Sequence, residues 1–83
     1  MKLVYFAWVR ERIGRSQEDL SLPPEVATVA DMLSWLQAQG DEYAHALQHI
    51  PSIRVALDHR HVPHDHPLGD AREAALFPPM TGG

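Results

Sequence analysis

Apolar positions run from Leu3 to Val9 without a charged break. Lys2 to Val9, KLVYFAWV, is bulky, aromatic and β-branched, which predicts a strand. Alternation along it places Leu3, Tyr5, Ala7 and Val9 on one face and Val4, Phe6 and Trp8 on the other. Both faces are apolar, yet a chain of 83 residues has room for a single modest core. The second face therefore needs another purpose. IGRS, Ile13 to Ser16, is a turn signal built around Gly14. The following QEDLSL sets Leu20 and Leu22 on one side of a second strand, completing an N-terminal hairpin that Pro23 and Pro24 stop.

The hydrophobic period then changes from two to 3.6. Thr28 is placed to cap a helix, with Asp31 three residues later as an acidic variant of the capping box. Val29, Met32, Leu33 and Leu36 form one stripe within Val29 to Gln39, and Gly40 is the expected left-handed terminator. A shorter helix is predicted over Asp41 to Gln48, with Ala44 and Leu47 inward, ending before Pro51. SIRVALD alternates Ile53, Val55 and Leu57 against Arg54, Ala56 and Asp58, a half-buried strand. HRHVPHDHPLGD is rich in turn residues, with a short strand around His61 and Val62. REAALF is the last strand, showing Ala74 and Leu76 to one face and Ala75 and Phe77 to the other, and Pro78 and Pro79 end it.

A hairpin and later strands sharing one main helix predict an α+β fold, a mixed sheet with that helix packed across one face. This is the plan of the β-grasp, or ubiquitin-like, roll. It divides the chain into a domain over residues 1–77 and a tail over 78–83. In that plan the first and last strands are central neighbours, so Phe6 and Phe77 are expected near one another on the uncovered face. With Val4 and Trp8 they would form an apolar patch, the usual mark of a protein contact. Placement in the core is the alternative for both phenylalanines. Met32, Leu33 and Trp35 read as packing.

Composition narrows the chemistry. The chain has no cysteine, which removes disulfides, thiolate metal sites and a cysteine nucleophile, and fits a reducing compartment. A net charge of −4 argues against nucleic acid as a partner, since duplex binding needs a basic face. The local basic group RERIGR (Arg10, Arg12, Arg15) carries Glu11 within it and reads as a solvated strand end and turn, with a docking contact as the alternative. The apolar opening runs straight into that group and lacks a small-x-small cleavage site, so a targeting segment is not expected. No stretch approaches the ~20 apolar residues of a spanning helix. The expectation is a cytoplasmic protein that does not engage a membrane.

His59, His61, His64 and His66, with Asp58 and Asp65 close by, are candidate metal ligands by residue type. Pro63 and Pro67 break the segment, and no zinc-finger or His-Glu-x-x-His spacing is present. No metal site is expected.

VYFAWVRERIG near the start, DHPLGD in the late loop and LFPPMTGG at the end together resemble the small subunits of molybdopterin synthase. The resemblance covers essentially the whole chain in length and element order, and Phe-Pro-Pro-x-Thr-Gly-Gly is its most specific part. Two places depart from the family pattern. Asp70-Ala71-Arg72 stands where Gly- or Asn-like turn residues are usual, and Ala75-Leu76-Phe77 where aromatic pairs are common.

The resemblance implies a sulfur carrier, the non-catalytic donor subunit of a sulfurtransferase complex. A ubiquitin-activating-type adenylyltransferase, which uses ATP, would adenylate the Gly83 carboxylate, and a sulfur donor protein would convert the adenylate to a thiocarboxylate. The tail, with Met80, Thr81 and Gly82, would then thread into a large subunit within a heterotetramer and give its sulfur to cyclic pyranopterin monophosphate. Phe6, Phe77, Pro78, Pro79 and Arg10 are the expected partner-binding residues, and no cofactor is expected to stay bound.

The residue types suit this chemistry. A free carboxylate is a poor acyl donor, whereas its mixed anhydride with AMP is open to attack by sulfur. Gly83 is therefore expected to be the true end of the chain. Glycines without a Cβ fit a narrow channel, and six residues reach at most about 20 Å when extended. Ordering them costs on the order of 1–2 kcal/mol per residue, so the body is expected to supply much of the binding. A β-grasp carrier of another pathway, such as thiamine thiazole synthesis, and a ubiquitin-like protein modifier are the alternative functions.

Overall fold

The structure, a computed structural model, describes residues 1–79. Its elements in chain order are β1 (Lys2–Tyr5), α1 (Ala7–Ile13), β2 (Gln17–Asp19), α2 (Val29–Gln37), α3 (Asp41–Ala46), β3 (Arg54–Leu57), β4 (Arg60–Val62) and β5 (Glu73–Phe77). The five strands form one sheet in the order β2-β1-β5-β3-β4. β1 runs parallel to β5, and the other neighbouring pairs are antiparallel. The sheet is mixed, with the first and last strands paired at its centre. This is the β-grasp arrangement that the order of hydrophobic elements predicts.

The buried side chains form one cluster. Leu3, Tyr5, Val55, Leu57, Val62, Ala74 and Leu76 come from one face of the sheet, and Val9, Ile13, Val29, Met32, Leu33, Leu36, Tyr43 and Ala46 from the helices. All three helices therefore cover the same face. The other carries Val4, Ala56, Ala75 and Phe77, none of them fully buried.

The opening run is the main departure from the predicted elements. The strand ends at Tyr5, and Ala7, in a left-handed conformation (φ 51°), starts α1. Val9 and Ile13, four apart, bury against the core, and Gly14 (φ 89°) closes the helix with its N–H donating to the Arg10 carbonyl. Arg10 and Arg12 lie in its last turn, where positive charge suits the helix dipole. Bulk and β-branching predict a strand through Val9, whereas the Val9/Ile13 spacing followed by glycine is the helical signal that prevails. Trp8 consequently leaves the open face: it packs partly against the core, with the Arg12 guanidinium 4.4 Å over its ring.

Smaller differences follow the same logic. β2 stops at Asp19, while Leu20 and Leu22 lie partly buried against the core beyond it. α2 ends at Gln37 with Ala38 as C-cap, and Gly40 is the extended N-cap of α3 in place of a left-handed terminator. In α3 the buried residues are Tyr43 and Ala46, followed by Leu47, and Ala44 is exposed. The α2 cap is as predicted. Thr28 Oγ1 accepts from the Asp31 N–H and Asp31 Oδ2 accepts from the Thr28 N–H, both at 3.1 Å.

The late loop is fastened to that helix start. The Val29 and Ala30 N–H groups, which no helix could satisfy internally, donate to the His66 and His64 carbonyls at 3.0 and 2.8 Å. The Leu68 N–H donates to the Ala27 carbonyl, and the Leu68 side chain is buried. At its other end, the β3–β4 hairpin turns through Asp58 (φ 47°) and His59 (φ 71°). Positive φ at both central residues gives the type I′ geometry that matches strand twist. Asp58 Oδ1 accepts from the Arg72 and Glu73 N–H groups at 3.0 Å each, tying the hairpin to the start of β5.

Candidate functional site

Register lays out the open face row by row. Gln17, Val4, Ala75, Ala56 and His61 are successive cross-strand partners from one edge of the sheet to the other. The middle three are small and half-buried, so the centre is flat and apolar. One row further, Phe77 pairs with Arg54. Tyr5 pairs with Leu76, and the Phe6 N–H donates to the Leu76 carbonyl at 3.1 Å, so Phe6 continues the ladder at the level of Phe77. The sequence expectation that the two phenylalanines share the uncovered face agrees with this placement.

Phe6 is 48% exposed, and among the described residues it is the one large apolar side chain in that state. Phe77 is half-buried, and its ring centroid lies 5.7 Å from that of His61, tilted by 56°. Pro78 and Pro79 continue from Phe77, half-buried and outside any regular element. The open face therefore presents its apolar residues next to the point where β5 ends. Met80, Thr81, Gly82 and Gly83, the expected threading and reactive residues, lie outside the described residues.

The three arginines of RERIGR separate. Arg12 stacks on Trp8, and Arg15 donates from Nη1 to Glu18 Oε1 at 2.8 Å and to the Tyr43 hydroxyl at 3.0 Å. Arg10 is exposed, one helical turn beyond Phe6, and makes no ion pair among the described residues. On the far side of the open face Lys2 and His59 each lie 3.7 Å from Glu73, exposed pairs of small energetic worth.

Behind the site, Glu18 gathers a network that the sequence reading missed. Its Oε2 accepts from the Tyr5 hydroxyl at 2.7 Å and the Tyr43 hydroxyl at 2.6 Å. Burial alone would raise its pKa, but the hydrogen bonds from Tyr43, Tyr5 and Arg15 together hold it below the ordinary carboxylate range. Burial, reinforced by the Glu18 charge, raises Tyr5 and pushes Tyr43 up to about 12. The network ties β1, β2 and α3 together and fixes the strand that carries Val4 and leads to Phe6. The pairing register Leu3↔Glu18, which the sequence alone does not supply, points Glu18 to the core side.

The histidines disperse. His64 Nε2 is 2.6 Å from the Ile53 carbonyl, His66 Nδ1 is 2.7 Å from the Pro67 carbonyl, His59 faces Glu73 and His61 faces Phe77. Among the described residues no three His, Asp or Glu side chains converge as a metal site. Nor is any described helix long and apolar enough to cross a membrane.

Fold and site together define a β-grasp protein whose C-terminal strand lies at the centre of the sheet, beside an uncovered apolar face. The sequence model of the ThiS family matches residues 3–83, and the chain belongs to that family. It is 36% identical over 83 residues to the molybdopterin synthase sulfur carrier subunit of Escherichia coli (strain K12), covering 100% of this chain and 99% of that one. With the molybdopterin synthase sulfur carrier subunit of Haemophilus influenzae the identity is 31%, again over 100% and 99% of the two chains. Among solved structures, SAMP1 from Haloferax volcanii superposes with a TM-score of 0.72 at 25% identity, covering 100% of this chain and 98% of that one.

Proposed function

We propose that this protein is the sulfur carrier subunit of a molybdopterin synthase. The observation that carries the reading is full-length similarity to two proteins of that name, in a chain that keeps Phe77-Pro78-Pro79 at the end of its central strand and Thr81-Gly82-Gly83 after it. The chain acts as a cosubstrate. ATP, bound by an activating enzyme, is attacked by the Gly83 carboxylate, giving an acyl-adenylate and releasing pyrophosphate. Sulfide-level sulfur supplied by a donor protein then attacks the acyl carbon and displaces AMP, leaving a thiocarboxylate.

The large subunit receives the tail, and the thiocarboxylate sulfur bonds to a carbon of cyclic pyranopterin monophosphate. Water then cleaves the acyl carbon–sulfur bond to Gly83, leaving the sulfur on the precursor and the tail as a carboxylate. Residues 78–83 are the delivery arm. The open face of Phe6, Phe77, Val4, Ala75 and Ala56, with Arg10 at its border, is the handle that the activating enzyme and the large subunit grip in turn. A heterotetramer of two small and two large subunits is the working assembly, in the cytoplasm.

Reconstitution tests this reading. The thiocarboxylate form, mixed with a molybdopterin synthase large subunit and precursor, is expected to yield molybdopterin. No product from loaded protein in the presence of an active large subunit would reassign the chain to another sulfur-carrier pathway, and conjugation to lysines alone would make it a modifier.

A further inference from the structure

The open face is apolar at its centre and carries an arginine and a histidine at one corner. Arg54 and His61, both exposed, line one shallow hollow of about 330 Å3 with Val62 and Pro63, immediately beside Phe77. Neither makes an ion pair with a described residue. On the same face, Glu73 of β5 already faces Lys2 and His59.

Sheet register sets the neighbours of His61. β3 offers Ala56 directly opposite and Arg54 at the end of the strand, and β5 offers Phe77 and Ala75. On its own strand, Arg60 pairs with Leu57 on the core side, while His64, beyond Pro63, is held at the Ile53 carbonyl. A chain of net charge −4 thus presents an arginine and a histidine next to its apolar docking surface, and among the described residues no acid forms an ion pair with either.

We infer that the protein partner docking on this face presents a carboxylate side chain to the hollow between Arg54 and His61, beside an apolar surface for Phe6 and Phe77. The inference rests on the reading of the open face as the handle gripped by the large subunit. A guanidinium and an imidazole converging on one hollow match a carboxylate, which accepts from both. Arg54 supplies a charge that does not vary with pH. Histidine changes charge between about pH 5 and 8, so the second contact strengthens on acidification. His61 is thereby a specificity residue: beside Phe77, it favours a partner with an acid at that point.

The test is the affinity of the full chain for the molybdopterin synthase large subunit of the same organism, measured at about pH 5.5 and about pH 8. Wild type, His61→Gln, Arg54→Gln and Phe77→Ala are compared, with thermal unfolding confirming that each folds. Wild type is expected to bind roughly three- to tenfold tighter at the lower pH. Taking the difference from His61→Gln removes titration of the partner's own groups, and that variant should lose the gain. Arg54→Gln should weaken binding about three- to tenfold at both pH values, less so at high salt. Phe77→Ala that binds poorly, alongside a His61→Gln pH profile equal to wild type or an Arg54→Gln affinity equal to wild type, overturns the carboxylate inference and leaves the docking face intact. Wild type that does not bind at either pH, or Phe77→Ala that binds as tightly as wild type, overturns the docking reading and this inference with it.

Discussion

The Phe6 amide donates to the Leu76 carbonyl at 3.1 Å, one residue past the last paired position of β1. That bond holds Phe6 in extended conformation (φ −126°, ψ 155°) at the level of Phe77 before Ala7 turns the chain into α1. A strand that continued to Val9 would have carried Trp8 onto the same face. Stopping at Phe6 keeps the exposed apolar group to a pair of aromatics over a bed of small side chains.

Because Phe6 is half in solvent and Phe77 partly so, truncating either should affect association more than folding. Phe77→Ala is expected to cost about 2 kcal/mol or more of affinity for the large subunit, roughly thirtyfold in Kd. Phe6→Ala should lower the thermal midpoint only slightly. Titration calorimetry beside thermal unfolding decides the matter, and a loss confined to stability would place these rings in the structural core.

Glu18 is held as a carboxylate by two phenols and a guanidinium, so its folded pKa lies below its unfolded value. A depressed carboxylate contributes stability that is present above the unfolded pKa and lost as pH falls through the folded one. Glu18→Gln should lower stability by about 1–3 kcal/mol near neutral pH and flatten the acid limb of the stability curve. Tyr43 has the opposite sign. Raised to about 12, its contribution is complete below the ordinary phenol range and lost as pH climbs through the folded value. Urea unfolding from mildly acidic to strongly alkaline pH would show both limbs, and an unchanged acid limb in Glu18→Gln would count against the network.

The β3–β4 turn offers a paired prediction. His59 sits at φ 71°, where glycine is free of steric cost, so His59→Gly should stabilise by about 0.5–1 kcal/mol. Asp58→Ala removes the acceptor of two backbone N–H groups and puts alanine at positive φ, with an expected loss of about 1–3 kcal/mol. Asp58→Asn keeps an acceptor and tolerates that conformation, so it should lose less. Chemical denaturation of the three variants would rank them.

Thr28→Ala is expected to cost about 1 kcal/mol by deleting half of the capping box of α2. Since that helix start also receives the His64 and His66 carbonyls, the variant should speed amide exchange at Val29 and Ala30 as well as lower overall stability. Exchange that stays slow at both amides would show that the loop holds the helix start without the cap.

Much of this was legible in the sequence, for physical reasons that differ by element. β3 and β5 read correctly because each buries one face and leaves the other partly open, so their alternation is clean. α2 read correctly because stripe, cap and acidic third residue agree. The opening run misled because Val, Phe and Trp suit a strand locally, while burial of Val9 and Ile13 against α3 and the sheet favours a helix from Ala7 onward. Glycine misled in the same way: Gly14 ends a helix that bulk had concealed, whereas Gly40 begins one. The positions of Phe6 and Phe77 could be deduced once strand order was assumed. Glu18 could not, because its worth depends on Tyr5 and Tyr43, brought together from two distant elements.

The central claim is that the Gly83 carboxylate is the group that carries sulfur. Intact mass spectrometry of the protein, incubated with ATP, its activating enzyme and a sulfur donor, tests that claim most directly. The account predicts a gain equal to exchange of one oxygen for one sulfur, mapped to the C-terminal peptide and lost when Gly83 is removed. A sulfur-loaded product in which the mass change lies elsewhere, or persists without Gly83, would contradict it.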